Sequence, residues 1–248
     1  MKPALTTVIL LATVTSAAAQ EGANGIDLRF GIGPSVSPGY FGDEDLDPGV
    51  GVKFQLERFA LGPFSFGGAD EPGLGFGGSF RYIAPREAGD FSELAGLADI
   101  DPSLEIGGGV EYNGPDYVVF ANLRYGAVGH ESFVAELGAD YEIAPRDALT
   151  VTIGPRVLVG DDDYAQTYFG VSDVESAASA FDSFDAEGGL ISAGAKAEVI
   201  YSLNDDWEIV GTIEYERFLR DAADSPITST DDQIDAQVVL TRRITLGF

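Results

Sequence analysis

The sequence predicts an all-β fold, a transmembrane antiparallel up-and-down β-barrel of about ten to twelve strands, with twelve favoured. Apolar and polar residues alternate with a period of two along most of the chain, as they do in strands that have one apolar face. Several alternating segments approach the ~9–11 residues that cross a bilayer, whereas strands of soluble sheets average ~5–6 residues. Because open sheet edges cannot exist in lipid, such a sheet has to close.

The first residues have the pattern of a secretory signal peptide. Lys2 precedes an apolar run that ends at Val14, and small residues follow up to Ala19. We therefore expect a signal peptide over residues 1–19, cleaved near Ala19, and a barrel over residues 20–248. No later run reaches the ~18 consecutive apolar residues of a spanning helix.

Composition excludes several classes of function. The chain has 14 basic and 41 acidic residues, and its net charge of −27 disfavours nucleic acid as a partner, because phosphate backbones are bound by Lys and Arg. It has no cysteine, which excludes disulfide and thiolate chemistry. No pattern typical of a metal or cofactor site is present.

The strands follow from the alternation. The first hairpin to consider is 188–219, in which Ile191, Val199 and Tyr201 share one face with other apolar residues. The segment 59–66 is predicted to be either two very short strands or a long turn. Pro155 is expected to distort its strand, because proline cannot donate to a ladder. The predicted strands are 26–33, 50–57, 74–82, 104–112, 117–125, 133–143, 149–159, 191–203, 207–215 and 234–248.

Connection lengths predict the orientation in the membrane. The turns after Tyr112, Ile143 and Leu203 are short, as periplasmic turns are, whereas the acidic loops at 34–47, 84–102, 161–187 and 221–232 are long, as extracellular loops are. The terminal Phe248 is typical of a bacterial outer-membrane barrel. It predicts recognition by the barrel-assembly machinery in a Gram-negative outer membrane, among lipid and lipopolysaccharide.

Charges on the polar face predict the character of the lumen. They are expected either to cross-link and fill a small barrel with ion pairs or to line a cation-preferring diffusion channel. The predicted strand number is below the sixteen of open porins, which favours the filled lumen. The lumen charges are Arg29, Lys53, Arg81, Glu105, Glu111, Arg124, Glu136, Asp140, Arg156, Lys196, Glu198 and Glu214.

An enzyme would need a nucleophile and a base. His130 is the single histidine, and Ser132 follows two residues later on the same face of a strand. The sequence places no third group beside them, and no Gly-x-Ser-x-Gly, Walker or zinc pattern is present. A non-enzymatic protein is predicted, with a lipid-modifying barrel enzyme as a remote alternative.

Three segments carry a family resemblance: 96–101 before one strand, 164–172 in the longest loop, and 218–227 followed by the terminal strand. In this order they resemble the MltA-interacting protein family (MipA/OmpV) of outer-membrane barrels. The resemblance implies a non-enzymatic scaffold that links a murein lytic transglycosylase to a peptidoglycan synthase. It departs from the family at 59–72, which is shortened, and at Arg242 and Arg243.

Two motifs in these segments are candidates for interaction or plug loops. The motif at 168–172 is predicted to pack into the barrel mouth as a plug or to form a recognition surface. The motif at 224–227 is predicted to be a turn fixed by its proline or part of the same surface. The residues are Tyr168, Phe169, Gly170, Val171 and Ser172 in the first motif and Asp224, Ser225, Pro226 and Ile227 in the second.

Overall fold

The computed structural model describes residues 24–62, 64–67, 72–143, 146 and 148–248, so the predicted signal peptide lies outside the described residues. The chain forms strands joined by loops that carry short helices. The strands are β1 (Gly25–Pro38), β2 (Leu46–Leu61), β3 (Phe64–Gly67), β4 (Gly73–Ile83), β5 (Ser103–Asn113), β6 (Tyr117–Val128), β7 (Phe133–Glu142), β8 (Leu149–Gly160), β9 (Gly189–Ser202), β10 (Trp207–Phe218) and β11 (Asp232–Gly247), and the helices are α1 (Asp162–Phe169), α2 (Asp173–Ala178) and α3 (Asp221–Asp224).

All strand pairs are antiparallel, and the sheet order is β3-β2-β1-β11-β10-β9-β8-β7-β6-β5-β4. The predicted barrel is confirmed, but the favoured count of twelve is wrong for the described residues, which form ten long strands and one strand of four residues. The reason lies in the segment 59–66. Strand β2 continues through Leu61, and only the short β3 returns against it, with Arg58 opposite Gly67.

The barrel has an apolar outer face and a polar inner face. Val50 and Leu74 point outward and are 70% and 69% exposed, whereas Glu105 and Arg124 point inward and are 0% and 2% exposed. A soluble barrel would bury its apolar residues, so this arrangement fits a barrel surrounded by lipid.

The hairpin formed by β1 and β2 is longer than predicted. Its strands remain paired from Gly25 opposite Ala60 to Pro38 opposite Leu46, so the predicted loop 34–47 shrinks to residues 39–45. Val36 continues the outward apolar series of β1, which explains why the strand extends past the residues first assigned to it.

Pro155 interrupts a ladder as expected. Strands β7 and β8 pair at Gly138–Arg156 and again at Tyr141–Ile153, without pairs between them and without a change of register. The Arg156 side chain fills the gap, because its Nη1 donates to the carbonyl of Ala139 at 3.0 Å. The backbones approach closely here, and a Cβ on the neighbouring Gly154 would lie 1.5 Å from the same carbonyl oxygen.

The loops contain helices that the strand pattern did not predict. The Asp161 side chain caps α1 by accepting the N–H of Tyr164 at 2.9 Å. Ser172 and Glu175 form a reciprocal capping box at the start of α2. Within the described part of the chain, no helix has the length and apolarity to cross a membrane.

Candidate functional site

The long loops fold together over one end of the barrel. We call residues 39–45, 84–102, 161–188 and 219–231 the cap. Its centre is Phe169, which is fully buried, with ring centroids 5.9 Å from Phe41 and 5.2 Å from Phe218 at the end of β10. A second apolar cluster beside it contains Leu94, Val171 and residues from all four segments of the cap. The cap is therefore a packed layer with two small cores.

The two predicted loop motifs meet inside the cap. The hydroxyl of Ser225 donates to the carbonyl of Phe169 at 2.5 Å. The N–H of Thr228 donates to the carbonyl of Ser225 at 3.0 Å and closes the turn over Pro226. Ile227 is buried in the second cluster.

Gly170 serves packing rather than a tight bend. Its φ of −78° is available to any residue. A Cβ at this position would lie 2.1 Å from Nε2 of Gln166, whose Oε1 accepts the N–H of Ala186 at 3.0 Å. The glycine thus lets the loop close on this side chain.

The outer surface of the cap contains few of the predicted residues. Ser172, Asp224 and Pro226 are exposed, and beside them Val174 is 79% exposed. Tyr168, Phe169 and Val171 are buried and present no side chain to solvent. The structure therefore places the apolar part of the first motif in the cap interior.

Glu175 joins two loops of the cap. Its Oε1 accepts the N–H of Ala98 at 3.0 Å, and its Oε2 accepts the Ser172 hydroxyl at 2.6 Å. Partial burial acts to raise the pKa of Glu175, but these hydrogen bonds outweigh it and hold the pKa below its usual value.

Tyrosines attach the underside of the cap to the lumen. The hydroxyl of Tyr164 accepts from Nη2 of Arg81 at 2.6 Å, and the hydroxyl of Tyr168 donates to Oγ of Ser103 at 2.9 Å. Burial raises the pKa of both tyrosines, so both remain neutral hydrogen-bonding groups at physiological pH.

Below the cap, ion pairs follow the inner wall of the barrel from β4 to β8, and each pair joins neighbouring strands. Glu105 lies 3.2 Å from Arg81 and 2.8 Å from Arg124. Arg124 also lies 2.7 Å from Glu136. The chain of contacts continues to Arg156, which is 3.6 Å from Glu136 and 2.6 Å from Asp140.

A second set of pairs crosses the opposite half of the lumen. Arg29 lies 2.9 Å from Glu57 and 3.1 Å from Glu208. Lys53 of β2 reaches Glu198 of β9 at 2.5 Å, which is a contact across the lumen because three strands, β1, β11 and β10, lie between them in the sheet. In the described part of the chain, three predicted lumen residues form no ion pair within 4 Å: Glu111, Lys196 and Glu214.

His130 acquires the third partner that the sequence did not place. Its Nδ1 lies 2.5 Å from Oγ of Ser132, and its Nε2 lies 3.3 Å from Oε1 of Glu105. This is the contact order of a serine–histidine–acid relay. However, the Ser132 N–H also donates to Nδ1, and Ser132 is 2% exposed. The geometry thus favours a buried structural network that ties the β6–β7 connection to the lumen.

Between the cap and the ion pairs lies a cavity of about 1150 Å³. Arg81, Lys53, Glu198, Glu214 and Asp235 are among the charged residues that line it. Ser132 does not line it, so the cavity gives no substrate access to that hydroxyl. Among the described residues, no cluster of three or more His, Asp or Glu side chains is arranged to hold a metal ion.

Comparison with known families decides which group of barrels this is. Residues 19–244 match the family described as MltA-interacting protein MipA. The chain belongs to the MipA family. The match contains both loop motifs and every long strand except the last three residues of β11, and it agrees with the resemblance carried by the three segments. The MipA family chain is therefore an outer-membrane β-barrel, with its apolar face toward lipid.

Solved outer-membrane proteins align with this MipA family barrel over most of its length at low identity. Neisserial surface protein A has 7% identity and a TM-score of 0.28, with 92% of this chain and 100% of that chain covered. The toluene transporter TodX of Pseudomonas putida has 9% identity and a TM-score of 0.31, with 92% of this chain and 91% of that chain covered. OprG of Pseudomonas aeruginosa has 10% identity and a TM-score of 0.25, with 90% of this chain and 98% of that chain covered. Values this low support no conclusion about function, and no curated protein matches the sequence.

Proposed function

We propose that this barrel is a non-enzymatic scaffold of the outer membrane that binds a murein lytic transglycosylase, the partner that the resemblance to the MltA-interacting protein family implies. The observation that carries the proposal is the closed lumen. The Lys53–Glu198 pair spans it, further ion pairs line its inner wall, and a packed cap covers one end. A barrel closed along its axis acts through its surface rather than by passage of solutes.

The proposed docking surface is the end opposite the cap. Both described chain ends lie there, since the N–H of Phe248 donates to the carbonyl of Asn24 at 3.2 Å. An outer-membrane barrel has its short turns on the periplasmic side, where murein and its enzymes lie. The proposal includes removal of residues 1–19, lipopolysaccharide around the cap and recognition of Phe248 by the assembly machinery.

One turn at this end is built to present charge. Asn204 Oδ1 accepts the N–H of Asp206 at 3.0 Å and that of Trp207 at 3.1 Å, which fixes the turn between β9 and β10. Asp205 and Asp206 are exposed at its tip, and neither side chain forms an ion pair among the described residues. A fixed acidic turn fits a basic patch on a partner.

The test is co-purification from detergent extracts of the native envelope. The variant Asp205→Lys with Asp206→Lys reverses the charge of the turn. The control variant, Asp182→Lys with Asp185→Lys, makes the same change at two exposed positions of the cap. We expect the turn variant to recover about tenfold less transglycosylase than the wild type. Equal recovery with both variants contradicts docking at the turn, and no recovery with the wild type contradicts the partner.

A small cation-preferring channel is the second candidate. The cavity favours it, because Glu214 and Asp235 line the cavity without an ion pair among the described residues. If ions cross, Glu214→Gln with Asp235→Asn will lower the cation preference, measured as the reversal potential across a salt gradient. An unchanged preference removes these carboxylates from the path.

A further inference from the structure

The barrel has one seam without backbone pairing in its described part. Strands β3 and β4 are the two ends of the sheet order, and β3 covers only the last four residues of β2. Above β3, β2 faces β4 through side chains. The Phe54 ring of β2 and the Phe80 ring of β4 meet edge to face, with centroids 5.2 Å apart. An unpaired strand edge exposes backbone donors and acceptors, which costs free energy in lipid.

The cavity passes through this seam. It is lined on β2 by the inward Lys53 and the outward Val52, and on β4 by the inward Arg81 and the outward Phe80 and Tyr82. Leu104 and Ile106, two outward residues of β5, also line it, so the outward lining residues are concentrated where β2 lies beside β4. The lumen is therefore continuous with the apolar outer surface at this place, while the cap and the ion pairs close it along the axis.

A buried cation that forms no ion pair within 4 Å among the described residues faces the same cavity. Arg86 lies just after β4, lines the cavity and is 7% exposed. Its Nε is buried without a hydrogen bond, and its guanidinium forms no ion pair in the described part of the chain. Burial lowers the pKa of Arg86, which reflects the cost of holding this charge away from water. A buried charge is normally paired, because an uncompensated one is strongly destabilising.

From these features we infer that the seam is a binding site for a single-chain amphipathic carboxylate of the fatty-acid type, with its head group on Arg86. The apolar chain would lie along the outward residues of the seam, which include Val50, Val52 and Phe80. A guanidinium pairs with a carboxylate through two parallel hydrogen bonds, which would satisfy the free Nε.

Acidic residues on the other wall restrict where the head group can lie. Glu214, Glu216 and Asp235 line the cavity from β10 and β11, whereas Arg86 and Arg81 line it from the β4 side. An anion is repelled by the first wall and attracted by the second, so the head group is directed toward Arg86. A cationic amphiphile would prefer the opposite wall, which makes the sign of the ligand charge a direct test.

The experiment is titration calorimetry on the full barrel in a neutral alkyl maltoside. The probes are octanoate, octyl phosphate, octylammonium, 1-octanol and acetate, which vary the head group or remove the tail. We expect octanoate to bind at least about tenfold more tightly than each of the others. Tighter binding of octylammonium overturns the charge assignment, and tighter binding of octyl phosphate overturns the carboxylate assignment.

Two arginine variants locate the head group. Arg86→Gln should weaken octanoate by about tenfold and leave 1-octanol unchanged, because only the ion pair is lost. Arg217→Gln is the control, since this exposed arginine lies outside the cavity and removes the same charge. Folding of each variant is checked by heat-modifiable gel migration. Octanoate affinity that is unchanged in a folded Arg86→Gln barrel refutes the site.

A cross-link tests the seam without changing Arg86. The sequence has no cysteine, so a bis-maleimide can join only an introduced pair. Joining Phe54→Cys to Phe80→Cys should lower octanoate affinity by about tenfold or more. The control pair, Ile32→Cys and Leu240→Cys, joins outward positions of the paired strands β1 and β11 and should have no effect. Equal affinity in the two cross-linked barrels refutes access through the seam.

Discussion

Replacing Phe169 with alanine is expected to open the cap and leave the barrel folded. The ring is completely buried between Phe41 and Phe218, and both of its ring contacts lie at the cap end. The strand ladders do not depend on it, because Phe169 belongs to α1 and pairs with no strand. The substitution therefore removes packing that holds the loops together.

The size of the effect follows from the burial. A buried Phe→Ala change costs about 3–5 kcal/mol, which includes the cavity that remains. Since about 1.4 kcal/mol corresponds to a factor of ten in population, the open fraction of the cap should rise by roughly a hundredfold to several thousandfold. A cost of this size is large for loops that contain only two small cores.

The assay is amide hydrogen exchange of residues 161–188 in the detergent-solubilised barrel, since exchange reports the free energy of local opening. Val174→Ala is the matched control. It removes apolar atoms from the same loop, but Val174 is 79% exposed, so its loss should change exchange little. Heat-modifiable migration verifies that each barrel is folded.

Two results would refute the reasoning. Equal exchange in the Phe169→Ala and Val174→Ala barrels would mean that the buried ring does not hold the cap. Loss of heat-modifiable migration in Phe169→Ala would mean that the cap and the barrel fold as one unit.

Three further predictions concern single side chains. Glu105→Gln leaves buried guanidinium groups without their counter-charge and should lower stability to heat by about 3–5 kcal/mol, whereas Glu111→Gln, which breaks no ion pair in the described chain, should have little effect. Gly154→Ala places a Cβ against a carbonyl and should block folding of the β7–β8 hairpin on gels, whereas Gly211→Ala meets no atom within 4 Å and should fold. Because the folded pKa of Glu175 lies below its ordinary value of 4.5, its stabilisation of α2 is complete above pH 4.5 and is lost as the pH falls through the folded pKa. Amide hydrogen exchange of α2 should therefore accelerate as the pH falls through this range. Glu175→Gln should remove this pH dependence.

The strands were predictable because their signal is local. Alternation identifies each strand and its lipid face without knowledge of its neighbours, and even the effect of Pro155 followed from its missing N–H. Strand number was less accessible, because the segment 59–66 has no alternation long enough to separate one short strand from two.

The cap helices were missed although a signal existed. Ser172 with Glu175 three residues later is the sequence pattern of a capping box, and Asp161 is a residue type favoured as an N-cap. These helices are too short to show a periodicity of their own, and an alternation of period two does not indicate them.

The lumen and seam contacts could not be read from sequence because they join distant strands. Alternation shows that Lys53 and Glu198 both point inward, but it does not show that they meet. In the same way, Glu105 joins His130 only through the strand order, and Arg86 lacks an ion pair in the described chain only because of how the loops pack.

The closed lumen is tested most directly by planar-bilayer recording of the purified wild-type barrel. The ion pairs and the cap predict no current steps above the leak of the bilayer alone, under either polarity. Stepwise, cation-selective currents that scale with the amount of barrel would contradict a closed lumen and favour the channel.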